Sequence, residues 1–214
     1  MSPRHLIGFA LAVTAGGCGG SPPPDPAGTN PPATVTVSSG LDAERLFPLR
    51  DRYVYSYVVE TTEGSGGMLN IRAKRHDDES GTLQMPTGPR EFVYAEDGVI
   101  LGGTSGVYFL KWPLEVGTQW RGERGATVSI VEVSKTVTVP AGTYQGCVKT
   151  SERRGGDRPM QIDTTVCPDV GIVELQAASG EAFERLSLKS YGPPVDLGPD
   201  GVRMVPPGEV DGAR

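Results

Sequence analysis

One stretch limits the fold of this chain more than any other. Residues 135–173 read KTVTVPAGTYQGCVKT, then SERRGGDRPM, then QIDTTVCPDVGIV, and they hold two of the three cysteines. Gly155-Gly156-Asp157-Arg158-Pro159 is a loop between two strand signals. If residue 157 is the pivot, Cys147 faces Cys167, Lys149 faces Thr165 and Ser151 faces Asp163. On the other face the same register sets Val148 against Val166 and Thr150 against Thr164. Cysteine on cysteine and valine on valine in one register is the agreement a true hairpin should show. Directly opposed strand residues lie about 4.5–5.5 Å apart at Cα, which a disulfide accepts. A Cys147–Cys167 cross-strand disulfide is therefore expected, on the polar face with Lys149 and Ser151. The alternative is two buried free thiols.

The rest of the chain reads as β. Arg52–Glu60 (RYVYSYVVE) alternates, with Tyr53, Tyr55 and Tyr57 on one face and Val54, Ser56 and Val58 on the other. Phe47-Pro48-Leu49 opens a strand, Gly64–Gly67 supplies a turn, and Met68–Arg75 returns. Glu96-Asp97-Gly98 joins two apolar runs, a strong hairpin signal because glycine accepts the positive φ of the turn. Thr127–Val133 and Thr136–Val139 read as two strands, and Pro140-Ala141-Gly142-Thr143 as a tight turn. Aromatic-Pro-Leu followed by an aromatic strand occurs twice, at Phe47 and at Trp112, which fits two similar sub-sheets. Asp42–Leu46 makes one helical turn at most, too short to matter. With 30 glycines and 19 prolines in 214 residues, about ten short strands and no helical period, the expectation is all-β. The strands should form a strongly curved sheet, half-barrel or barrel; a two-sheet sandwich is the alternative.

The ends differ in kind. Residues 1–17 carry Arg4, an apolar run and small residues, the pattern of a secretory signal peptide. Cys18 follows Ala15-Gly16-Gly17, which resembles the lipobox of bacterial lipoproteins, with Ala15 where leucine is commonest. That resemblance implies a diacylated Cys18 at the mature N-terminus and membrane attachment through it. Residues 18–40 are then a Pro/Gly-rich tether, 41–192 one β domain, and 193–214 a disordered tail. The expected location is the bacterial cell envelope, at the outer membrane.

A second resemblance rests on Thr136-Val137-Thr138-Val139-Pro140-Ala141-Gly142-Thr143-Tyr144, Cys147-Val148 and Val170-Gly171-Ile172-Val173. Together with the upstream Phe47-Pro48-Leu49, these look like the signature of uncharacterised bacterial secreted and lipid-anchored proteins. Arg50-Asp51-Arg52 stands where that signature has a glycine, and Cys167 where it has an aromatic. The resemblance implies an exported all-β domain and no activity.

The residues offer little chemistry. The formal charge is −6. Losing Arg4 with the leader leaves 19 basic against 26 acidic side chains, near −7, which disfavours nucleic acid. His76 is the one histidine after the leader and sits among Arg75, Asp77 and Asp78. No catalytic set, metal set or cofactor motif emerges. Tyr53, Tyr55, Tyr57, Trp112 and Trp120 are the candidate apolar ligand face; the alternative is that they are core. The expected role is a non-enzymatic binding or structural domain whose partner is a protein, glycan or lipid. The competing role is an apolar-ligand carrier with an aromatic-lined cavity.

Overall fold

A computed structural model describes residues 42–102, 106–156 and 158–194. The leader, Cys18, the tether and all but the first residues of the tail lie outside the described residues. A four-residue helix, α1 (Ala43–Leu46), is capped by the Asp42 carboxylate, which accepts from the Arg45 N–H at 2.6 Å. Twelve strands follow. These are β1 (Val54–Thr61), β2 (Gly64–Arg75), β3 (Ser80–Met85), β4 (Gly88–Ala95), β5 (Gly98–Leu101) and β6 (Val107–Lys111), then β7 (Gln119–Arg121), β8 (Thr127–Val139), β9 (Gly142–Arg154), β10 (Met160–Cys167), β11 (Gly171–Ser179) and β12 (Ala182–Gly192).

They make one antiparallel sheet in the order β6-β5-β4-β3-β2-β1-β12-β11-β10-β9-β8-β7, curled into a nearly closed barrel. Each half is a six-strand meander, and β1 joins β12 to unite them. The two edges, β6 and β7, meet at a seam where the Trp120 Nε1–H donates to the Tyr108 carbonyl at 2.8 Å. A 3-10 turn, Glu123–Gly125, follows β7; its Glu123 is bonded by Arg90 of β4 at 2.6 Å.

The two halves begin alike, residue for residue, at a spacing of 65. Arg52 (φ 61°) and Gly117 (φ 95°) both adopt left-handed backbone. The Arg52 N–H reaches Ala73 O at 3.0 Å, and the Gly117 N–H reaches Ile130 O at 2.9 Å. Tyr53 N–H bonds Arg50 O, and Thr118 N–H bonds Glu115 O. Tyr55 and Trp120, also 65 apart, are both buried. The repeated aromatic-Pro-Leu therefore opens each meander. Phe47–Tyr53, however, is not strand. The arginine at residue 52 takes the conformation for which glycine is favoured, and the turn it makes ends extended pairing.

Other expectations shift in detail. Gly64–Gly67 is not a turn but the start of β2, paired through a bulge beside Val59. Thr127–Val139 is one strand, bent where Ser134 takes φ 54° and the register slips. Ser80–Met85 is a strand that the charged run before it concealed.

The barrel interior holds the core. Tyr57, Leu110, Ile130, Val148, Val166, Val173 and Leu188 are all buried. Phe47, Phe92 and Phe109 cluster with ring centroids 4.8–5.5 Å apart. Across β9–β12 and β1 the outer face is charged: Lys149 pairs with Asp163 at 3.0 Å, and Arg185 lies 3.9 Å from both Glu60 and Glu174. Apolar inside and charged outside is the reverse of a barrel that spans a membrane.

Candidate functional site

Burial decides what the tyrosine face does. Tyr55 and Tyr57 are 5% and 4% exposed, with hydroxyls donating to Pro48 O at 3.3 Å and Ile172 O at 2.9 Å. Phe47-Pro48-Leu49 lies over them, fixed by Tyr94, whose hydroxyl donates to Phe47 O and accepts from the Leu49 N–H. The space left between this segment and Tyr55, Tyr57, Ile71 and Leu83 is about 10 Å3. That is the volume of one water at most and does not admit an acyl chain. Tyr53 is only partly buried, with the Arg50 guanidinium 5.5 Å from its ring centre. Trp120 closes the seam, and Trp112 is half-buried beyond β6. The five aromatics are thus not brought into one open cavity. All five pack into or against the core, and Tyr55, Tyr57 and Trp120 are core outright.

Burial pushes the Tyr55 hydroxyl up to about 12 and the Tyr57 hydroxyl up further. Below pH 10 both are neutral, folded or unfolded, and stability is unaffected. Above pH 10 the unfolded chain ionises first, so stability falls as pH rises toward 12. Absorbance titration at 295 nm should show these two of the seven tyrosines ionising only with unfolding. Reversible ionisation of all seven in the folded protein would contradict their burial.

The disulfide forms in the expected register, with Val148 opposite Val166 and Ser151 opposite Asp163. The S–S bond is 2.02 Å and the Cα separation 4.2 Å. Its setting is not the expected polar one, since both cysteines are 0% exposed. Bends at Ser134 (φ 54°) and Gly146 (φ 70°) carry the tip of the β8–β9 hairpin across to β12, where the Ala141 N–H bonds Leu188 O at 2.9 Å. Val137 and Val139 of that tip join the same core cluster as the cysteines. Further along the strands the face is polar as expected. Burial pushes the Asp163 carboxyl up, but hydrogen bonds from Gln161, Lys149 and Ser151 prevail and hold it below its usual range.

An open concavity lies elsewhere, at the end where α1 meets the barrel. A cleft of about 550 Å3 is lined by Asp42, Glu44 and Arg45, by Pro48–Asp51, and by Arg75, Asp78 and Asp169. Its five carboxylates and three arginines leave it net acidic. Arg75 is its hub. It donates to the carbonyls of Asp77 and Asp78 and to Tyr94 Oη at 3.2 Å, pairs with Glu44 at 3.2 Å, and stacks 4.9 Å from the Tyr94 ring centre. Arg45 and Arg50 both reach Asp169, at its carboxylate (3.4 Å) and its carbonyl (3.0 Å). The helical turn set aside on length alone is thus part of this wall. The lining holds no Ser, Thr, Cys, His or Lys; its charged groups are carboxylates and guanidinium groups. His76 is exposed beside it, its Nε2 2.7 Å from Thr82 Oγ1. Asp77, hydrogen-bonded by the Ser80 hydroxyl and by the backbone of Glu79 and Ser80, is held below its usual range. No sequence pattern marks this cleft, because its walls come from segments more than a hundred residues apart.

No family model matches the chain, and no curated protein does. Two solved structures resemble it. One, described as a "putative exported protein with YmcC-like fold" from Bacteroides fragilis, is 13% identical, covers 69% of this chain and 98% of its own, and has a TM-score of 0.44. The other, a "putative lipoprotein" from Parabacteroides distasonis, is 12% identical, covers 71% of this chain and 100% of its own, with a TM-score of 0.44. Likenesses this distant carry no argument about what the chain does.

Proposed function

We propose that this protein is a non-enzymatic β domain of the bacterial cell envelope, exported behind residues 1–17 and anchored to the outer membrane by lipid on Cys18. The observation that carries the reading is the Cys147–Cys167 disulfide, which belongs in an oxidising compartment. With that pair oxidised, Cys18 is the one thiol left for acylation. Binding falls to the outside of the barrel, because the space beneath Tyr55 and Tyr57 is filled. The acidic cleft at α1 is the concave surface that suits a polar protein or glycan partner.

Detergent-phase partitioning with labelled fatty acid tests the anchor. The wild-type protein should carry label and enter the detergent phase, whereas Cys18→Ser should be unlabelled and aqueous. A wild-type protein found wholly in the aqueous phase would sink the reading.

A further inference from the structure

At the end of the barrel opposite the cleft, the β7–β10 stretch carries the reverse charge. Thr127 of β8 is opposite Arg121 on one side and Arg153 on the other, so both arginines share a face two strands apart, about 10 Å. It is the outer face, the one that holds Ser151 and Asp163. Arg124 stands in the 3-10 turn between β7 and β8, and Arg158 in the β9–β10 loop. All four are exposed, and none has a carboxylate partner among the described residues. The nearby acids are already engaged: Glu123 by Arg90 at 2.6 Å, and Glu152 by Arg154 at 2.7 Å. Asp157, outside the described residues, adds one negative charge by sequence.

The cross-strand row continues from Arg153 through Gln161 and Ala178 to Phe183, a phenyl ring 39% exposed. Glu63 and Glu181, in the turns at that far end, mark the limit of the basic region.

We infer that this outer face of β7–β10 docks onto an anionic lipid surface, the membrane to which Cys18 tethers the chain; the inference rests on the anchor proposed above. The cations are spread over two strands and two turns, with Arg121 and Arg153 about 10 Å apart, which suits a plane of phosphates better than one small anion. All four are arginines, whose planar fork binds phosphate oxygens in pairs. The exposed phenyl in the same row supplies an apolar contact at the headgroup level. The chain as a whole is acidic, so this face sets the orientation of approach.

The test is co-sedimentation of the full mature chain carrying Cys18→Ser, which binds without help from an anchor. Vesicles rich in phosphatidylglycerol at low salt should retain it, and pure phosphatidylcholine vesicles should not. Arg121→Gln with Arg153→Gln should weaken retention about 25-fold, roughly five-fold for each arginine. Arg124→Gln with Arg158→Gln should do likewise, while Lys74→Gln with Lys189→Gln, an equal charge loss elsewhere, should leave it unchanged. Equal binding to neutral vesicles overturns the inference, as do arginine variants that bind like the parent. Retention by soluble dextran sulfate but not by vesicles makes the partner a free polyanion instead. Failure here leaves the fatty-acid labelling result intact, so the two readings fall separately.

Discussion

Replacing Cys147 and Cys167 together by alanine should lower stability by about 3 kcal/mol and the melting temperature by roughly 6–12 °C. The cross-link closes a loop of sequence separation 20, and in the chain-entropy account such a loop restricts the unfolded chain by about that much. Both cysteines are also fully buried, in the core cluster that Val137 and Val139 of the β8–β9 hairpin tip join, so their packing is lost as well. Cys147→Ser alone should be worse than the pair, because it leaves a hydroxyl and a lone thiol in the same dry space. For the same reason a mild reductant should not touch the folded protein and should act only as it unfolds. Thermal unfolding with and without reductant measures all three effects. A double variant that melts with the wild type would show that the pair contributes nothing.

Trp120→Ala should be the most damaging single change at the seam, by about 3–5 kcal/mol. The side chain is 8% exposed, and its Nε1–H holds the Tyr108 carbonyl of β6 across the seam. Trp120→Phe keeps most of the packing and loses the hydrogen bond, so a smaller loss of about 1–3 kcal/mol is expected. Hydrogen exchange separates this from a general weakening. Amides of β5 and β6 should lose protection first, with those of β9 and β10 last. Uniform loss across the sheet would mean that the indole is ordinary core and not a clasp.

The hairpin was legible because its evidence is local. Val148 with Val166 and Cys147 with Cys167 obey one register, and a register needs only the loop between them. The face on which the cysteines lie was not legible. It depends on bends at Ser134 and Gly146 that fold one hairpin tip onto β12, and side-chain alternation carries no sign of that. Tyr53, Tyr55 and Tyr57 announced a strand and its faces, but alternation reads the same for a packed interior as for a pocket. What filled the space was Phe47-Pro48-Leu49, a segment that reads as strand yet serves as a plug. The acidic cleft was invisible for a simpler reason. Arg45, Arg75 and Asp169 are unremarkable where they stand in the chain and meet only through the fold.

The pairing of β1 with β12 sets a timetable. Val54 lies opposite Gly192, 138 residues later, so the first strand to emerge during synthesis pairs early with β2 but is among the last to find its second neighbour. The β9–β10 hairpin can zip as soon as its loop exists, whereas the union of the two meanders must wait for nearly the whole described domain. Until then one edge of β1, with Tyr55 and Tyr57 beside it, stands open to any other extended chain. A product cut short before residue 182 would keep that edge open, with β11 as a second. Truncation at the far end should therefore convert a self-contained barrel into a molecule that seeks strands from others.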